Sequence, residues 1–170
     1  MSKFLDIPNI KGESLSPNPN WNQKIVLKDM SYHVTQEVAK RGSGGSNVSQ
    51  ANFGNMHITK SMDCSSPLLA ALLVGNSPLP TVTIRVSRDG ANTTGAFAGQ
   101  YEAETYTLTN VRFVSYQTSG HPGVTGLPQE SLTLTFSAIT ERYQTVDQAG
   151  NLQSPQTGGF DIAGGQATAS

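Results

Sequence analysis

The chain is poor in charge, in cysteine and in long apolar runs, and each shortage removes a class of function. Only 14% of its 170 residues are Asp, Glu, Lys or Arg, against about 25% in an average globular protein. The basic residues are scattered, Lys40-Arg41 is their only adjacent pair, and the formal net charge is -1. A dedicated nucleic-acid binder draws its affinity from clustered Lys and Arg, so that class is set aside. Cys64 is the only cysteine, which excludes an intrachain disulfide and a cysteine metal cluster; beside a helix start it reads as small apolar filling. No apolar run approaches the roughly 20 residues that span a bilayer, so no membrane insertion is expected. The opening Met1-Ser2-Lys3-Phe4-Leu5-Asp6-Ile7-Pro8 lacks the apolar core of a signal peptide. Export from a cell is therefore expected to proceed without a cleaved leader.

Catalytic patterns are missing as well. His33, His57 and His121 lie on separate segments, outside any H-E-x-x-H pattern and away from a carboxylate pair that would complete a metal site. No G-x-S-x-G elbow occurs. Gly42-Ser43-Gly44-Gly45-Ser46 is not followed by Lys-Ser/Thr at phosphate-loop spacing. No catalytic residue, metal ligand or cofactor is expected, and the glycine stretch reads as a flexible loop that orders against a neighbour.

What is present is strand alternation, broken by one helix. Asp63, Ser65 and Ser66 offer oxygens to a helix start, Pro67 suits the first turn, Leu68 to Val74 is apolar throughout, and Gly75-Asn76 stops it. Being apolar on nearly every side, the segment predicts a buried plug built from Pro67, Leu68, Leu69, Leu72 and Leu73. Strands are predicted over residues 4–7, 24–38, 53–60, 81–88, 100–109, 111–118, 131–143 and 159–162. In the second of these the apolar parity switches from Ile25 and Leu27 to Met30, Tyr32 and Val34, which requires a bulge near Lys28-Asp29. A second bulge is expected between Leu108 and Val111. Pro17 and Pro19 make the first long connection extended, and Trp21 closes it as a packing anchor. The fold class is mainly β: a small antiparallel β-barrel of two packed sheets with one short α-helix on its flank, one domain over residues 1–162 and a flexible tail over 163–170.

Several strands carry a second face of Ser and Thr where Lys and Glu would be usual. Neutral polar faces bury at lower cost than charged ones. Such faces are read as contacts between copies.

An ordered set of residues resembles a known family. It comprises Phe4-Leu5-Asp6-Ile7 and Ile10-Lys11-Gly12-Glu13-Ser14; Ile58-Thr59-Lys60, Asp63 and Ser65-Ser66-Pro67-Leu68-Leu69; Gly75 and Thr83-Ile84-Arg85; Val114-Ser115, Ser119-Gly120, Pro128-Gln129-Glu130-Ser131-Leu132, Leu134, Phe136 and Tyr143. In order and spacing these are similar to the haemolysin-coregulated proteins, Hcp, of the bacterial type VI secretion inner tube. The family often has Trp where this chain has Phe160, and Pro17-Asn18-Pro19-Asn20 replaces a segment that is usually charged. The resemblance implies a six-membered ring of barrel subunits, rings stacked into a hollow tube that leaves the bacterial cytoplasm, and no enzymatic activity. Implied partners are the protein itself, a spike protein, a sheath and effector proteins carried in the bore. It also implies that Asp29, Ser31 and His33 line the bore, and that Gly42, Ser43, Gly44, Gly45, Ser46 and Asn47 reach the adjacent ring. Two rival readings are a tail-tube protein of a contractile phage and, from another class, a carbohydrate-binding β-barrel that stacks sugars on Trp21 and Tyr32.

Overall fold

Apolar residues that recur at every second position leave one face of a strand in need of cover, and here a single sheet covers itself by closing. The computed structural model describes residues 1–40, 46–48, 51–91, 99–120, 126–162 and 164–169. In chain order the elements are β1 (Ser2–Asp6), β2 (Ile25–Ser31), β3 (Val34–Thr35), β4 (Val38–Lys40), β5 (Ser46–Val48), β6 (Asn52–Phe53) and β7 (Met56–Ser61). Then follow α1 (Ser66–Val74), β8 (Leu79–Ala91), β9 (Gly99–Ser119), β10 (Gln129–Thr135), β11 (Ala138–Tyr143), β12 (Gln156–Asp161) and β13 (Gln166–Ala169). The main sheet runs β10-β7-β2-β1-β8-β9-β11-β12-β13, and β9 pairs back onto β10. That last pairing closes a six-stranded antiparallel barrel, with β11 to β13 continuing as an extension. The barrel with one flanking helix is thus borne out, its two sides being parts of one continuous sheet.

The long strand β9 makes the closure possible by changing neighbours. On one edge it pairs β11 up to Thr109↔Ala138, then β10 from Arg112↔Thr135 onward. Between them Asn110 takes a left-handed backbone, φ 51°. Asparagine tolerates that region better than most residues. Leu108 and Val111 on either side are both buried, so the parity change expected there exists, produced by a corner in one strand. The bulge expected near Lys28 is also present: the β2–β7 register shifts between Leu27 and Asp29.

The core is filled by Leu5, Ile25, Met56, Ile58, Ile84, Leu108, Leu132 and Leu134, each with almost no exposed surface. A barrel filled by its own side chains leaves no room for a plug, and this corrects the expectation for the helix. Leu69 is fully buried, and Leu72 and Leu73 are half-buried against the core. Pro67 is exposed and Leu68 is 51% exposed. The helix lies along the flank with one face inward and the other open to solvent.

Other expectations shift at their ends. The predicted strand 24–38 breaks after Ser31, and the segment 131–143 breaks at Phe136-Ser137, where the chain crosses from β10 to β11. Residues expected as a flexible tail include β13, which pairs with β12 from Gly158↔Ala169 to Asp161↔Gln166. The glycine-rich stretch is flanked by the paired strands β4 and β5, Val38↔Val48 to Lys40↔Ser46. Gly42, Ser43, Gly44 and Gly45 themselves lie outside the described residues, as do Asn92 to Thr94 and His121.

Trp21 anchors its connection as expected, stacked on Phe4 with centroids 5.8 Å apart. Gly12 pairs with Gln23 and packs so closely on the next strand that a Cβ would stand 2.4 Å from the Lys24 carbonyl oxygen. Because Leu69 is the one helix leucine sealed against the barrel, Leu69→Ala is expected to cost about 2–5 kcal/mol in urea unfolding. A loss below about 1 kcal/mol would mean that the helix packs differently.

Candidate functional site

Two opposite charges stand at inward-facing positions of neighbouring strands. Lys60 follows Met56 and Ile58 in parity on β7, and Glu130 precedes Leu132 and Leu134 on β10; the two residues are registered opposite each other. Both side chains are wholly buried, and Lys60 Nζ donates to Glu130 Oε2 at 2.7 Å. Isolated charges in such a place would be very costly, so each must be paired and fully hydrogen-bonded. The segment that starts α1 supplies the remaining partners. Lys60 Nζ also lies 2.8 Å from Asp63 Oδ1 and donates to Ser66 Oγ at 3.0 Å. Ser66 Oγ donates to Glu130 Oε2 at 2.8 Å and accepts the Asp63 amide, and Tyr116 donates to Glu130 Oε1 at 2.6 Å. Ser66, in the first turn, thus serves the ion pair, while the N-cap residue Ser65 donates its hydroxyl to Asp63 Oδ1 and makes no side-chain cap.

The electrostatics follow from that wiring. Burial alone would push the Glu130 carboxyl up, but hydrogen bonds from Lys60, Tyr116 and Ser66, with the Lys60 charge, outweigh it and hold the carboxyl below its usual range. Burial and the bond to Glu130 push the Tyr116 phenol up. The loop before the helix is tied from the other side too: Glu13 Oε1 accepts the Cys64 amide at 2.8 Å, and the Cys64 thiol contacts the Lys11 carbonyl. Slight burial and the charges of Glu13 and Asp63 push that thiol up, away from a thiolate nucleophile.

The outer face of the barrel over β2, β7, β10 and β9 is different in kind. Register sets Asp29, Thr59, Ser131 and Gln117 in one row across four strands and Ser31, His57, Thr133 and Ser115 in the next. Lateral neighbours on one face touch, and His57 Nδ1 and Thr133 Oγ1 lie within hydrogen-bond distance at 3.0 Å. Only Asp29 in these rows carries a formal charge, and Lys3 Nζ meets it at 3.2 Å. Of the three residues predicted for this face, Asp29 and Ser31 share it. His33 is exposed but past the end of β2, where its ring covers Gly54 so tightly that a Cβ there would stand 2.1 Å from it.

No three His, Cys, Asp or Glu among the described residues could together hold a metal ion. Nor is any helix among them long and apolar enough to cross a membrane. Trp21 is 2% exposed, so its ring is not free to stack on a sugar, and Tyr32 is half-buried with its hydroxyl donated to Glu141 at 2.9 Å.

The family model described as "Type VI secretion system effector, Hcp" matches residues 4–143. The chain belongs to the Hcp family. Many solved structures share its fold, among them these three. One titled as a type six secretion system protein is 24% identical, with TM-score 0.84, covering 98% of this chain and 99% of that one. Hcp1 from Salmonella typhimurium is 20% identical, with TM-score 0.71 and 98% of each chain covered. A type VI secretion system effector from Yersinia pestis is 19% identical, with TM-score 0.65, covering 94% of this chain and 99% of the other. No curated protein matches the chain in sequence.

Much of the Hcp resemblance in the sequence now has a physical basis. Lys60, Asp63, Ser66 and Glu130 meet in the buried network, and Gly12 and Glu13 hold the first connection against β2 and the helix approach. Their roles were not read from the sequence, although parity held the signal: Lys60 and Glu130 each extend an apolar alternation by one step.

Removing one partner of a buried ion pair is strongly destabilising, whereas replacing both with apolar residues is often neutral. Glu130→Gln and Lys60→Met are each expected to cost about 3–5 kcal/mol in chemical denaturation, and Lys60→Met with Glu130→Leu to recover most of it. Additive losses in the double variant would contradict the pairing. Because the folded carboxyl of Glu130 sits below its usual value of 4.5, its contribution is complete above that value and declines as pH falls through the folded pKa. Denaturation curves taken between neutral and acid pH should show this loss in the wild type and a smaller one in Glu130→Gln.

Proposed function

We propose that the protein is a structural subunit of a type VI secretion inner tube, forming six-membered rings that stack into a hollow conduit for effectors. The observation that carries this reading is the four-stranded outer face, polar and nearly free of charge, on a barrel of the Hcp family. A subunit working alone has no use for such a face, whereas a ring turns it into the wall of a water-filled channel. Asp29 and Ser31 then line the bore together with His57, Thr59, Ser115, Gln117, Ser131 and Thr133. A wall of hydroxyls and amides solvates a passing protein without holding it by charge. His33 sits at the rim of this wall.

The stretch Gly42, Ser43, Gly44, Gly45, Ser46 and Asn47, which follows β4 and runs into β5, reaches the adjacent ring in this reading. The spike protein, the sheath and the effectors are the other partners. Assembly takes place in the bacterial cytoplasm and export follows. The role is one of construction and transport, with no catalysis.

Native mass measurement tests the first step: rings of about 108 kDa, six copies of the 18.0 kDa chain, are expected. A monomer at every concentration and in every buffer would sink the proposal. Deleting Gly42 to Ser46 is expected to leave single rings intact while abolishing stacking and secretion; loss of the rings themselves would contradict the role given to that stretch.

A further inference from the structure

The molecule carries an apolar ridge on its helix and a largely apolar cleft between β11, β12 and Phe53. The ridge is the outward face of α1, where Leu68 is 51% exposed, Val74 is 85% exposed and exposed Ala71 lies between them, at the spacing that brings helix residues onto one face. Past Gly75 the chain enters β8, whose Leu79 pairs Val111 on one edge of β9. The cleft lies beyond the other edge of β9, the one that Ala138 of β11 pairs through Thr109. It encloses about 250 Å³ and is lined by Phe53, Ile139, Gly158, Gly159 and Phe160 among others. The Phe53 and Phe160 rings stack at 4.5 Å and form one wall. At Gly158 a Cβ would meet nothing within 4 Å, so part of the floor is bare backbone with open space above it.

The charges beside the two surfaces are of opposite sign. Arg112 Nη1 donates to Asn76 Oδ1 at 2.7 Å, which puts a guanidinium at the C-terminal end of the ridge. Glu141, which accepts the Tyr32 hydroxyl, puts a carboxylate in the lining of the cleft. An apolar centre with complementary charge at its border is the anatomy of a specific protein contact. A ridge and a cleft that are two different surfaces of one subunit make a head-to-tail contact, the kind that closes into rings when the rotation allows.

We propose that the α1 ridge of one copy seats in the Phe53–Phe160 cleft of the next, with Arg112 facing Glu141 across the joint. The inference rests on the ring reading above and adds to it the surfaces that join neighbours within a ring. Leu68 and Val74 are the anchors, and Gly158 admits them because it has no side chain.

Two substitutions block one surface each without touching the core. Val74→Asp places a charge on the ridge, and Gly158→Leu fills the cleft. Each is expected to weaken ring formation at least about tenfold in native mass measurements, with the circular dichroism of the folded barrel unchanged. Mixing the two variants supplies the deciding arm. A Val74→Asp chain keeps its cleft and a Gly158→Leu chain keeps its ridge, so the mixture should give a 1:1 pair of about 36 kDa, two 18.0 kDa chains, that extends no further. Rings that persist in either variant, or a mixture without the 1:1 pair, overturn this joint while leaving the tube reading in place. A wild type that never forms rings overturns both.

Discussion

Lys60 and Glu130 are sealed from water inside a barrel wall, and the way the helix meets the barrel depends on how those two charges are satisfied. Two strands can bring the ions together, but the pair alone leaves further donors and acceptors to be met. The Asp63–Ser66 segment meets them, and α1 is thereby docked at one place on the flank. A purely apolar junction would hold the helix as firmly, since hydrophobic contact is strong but indifferent to small displacements. The hydrogen-bonded ion pair adds direction, because Ser66 Oγ must stand at once within reach of Lys60, Glu130 and the Asp63 amide.

The rest of the molecule follows from a helix fixed in that position. Chain leaving α1 enters β8 at Leu79, beside the Asn110 corner of β9, and the corner lets β9 serve both the barrel and the β11–β13 extension. The closed barrel consumes the apolar faces of its six strands, and the two outer rows that cross β2, β7, β10 and β9 hold hydroxyls, an amide, the His57 imidazole and a single carboxylate. Low overall charge, first visible as a compositional shortage, becomes a local property of one wall. In the proposed tube that wall is the bore, and the α1 ridge and the Phe53–Phe160 cleft are the joints.

Legibility in the sequence was uneven, for physical reasons. Period-two alternation over residues 81–88 and 131–136 identified strands directly, and the parity switches at Lys28-Asp29 and after Leu108 were correctly located, because an alternation that changes face leaves a mark no neighbour can erase. The helix was found by its start and stop residues and then misjudged in depth. An apolar run states that it wants cover, not whether the cover is its own barrel or another surface. Leu68 and Val74 show the difference, being apolar and exposed on the same helix as sealed Leu69. On the candidate bore, Asp29 and Ser31 were legible from one strand, whereas His57, Thr133, Ser115 and Gln117 joined them only through register.

By itself the sequence determined the local alternatives: which segments extend, which one coils, where a strand must change face, and that little charge would be available anywhere. These depend on residues within a few positions of each other, and such contacts are written in chain order. Only the tertiary structure decided which strands are neighbours, and so that Lys60 faces Glu130 across 70 residues of chain, that the tail supplies an edge strand, and that Phe53 meets Phe160 to wall a cleft. Strand pairing is a choice among distant partners with similar alternation, and it is settled by closure of the whole barrel.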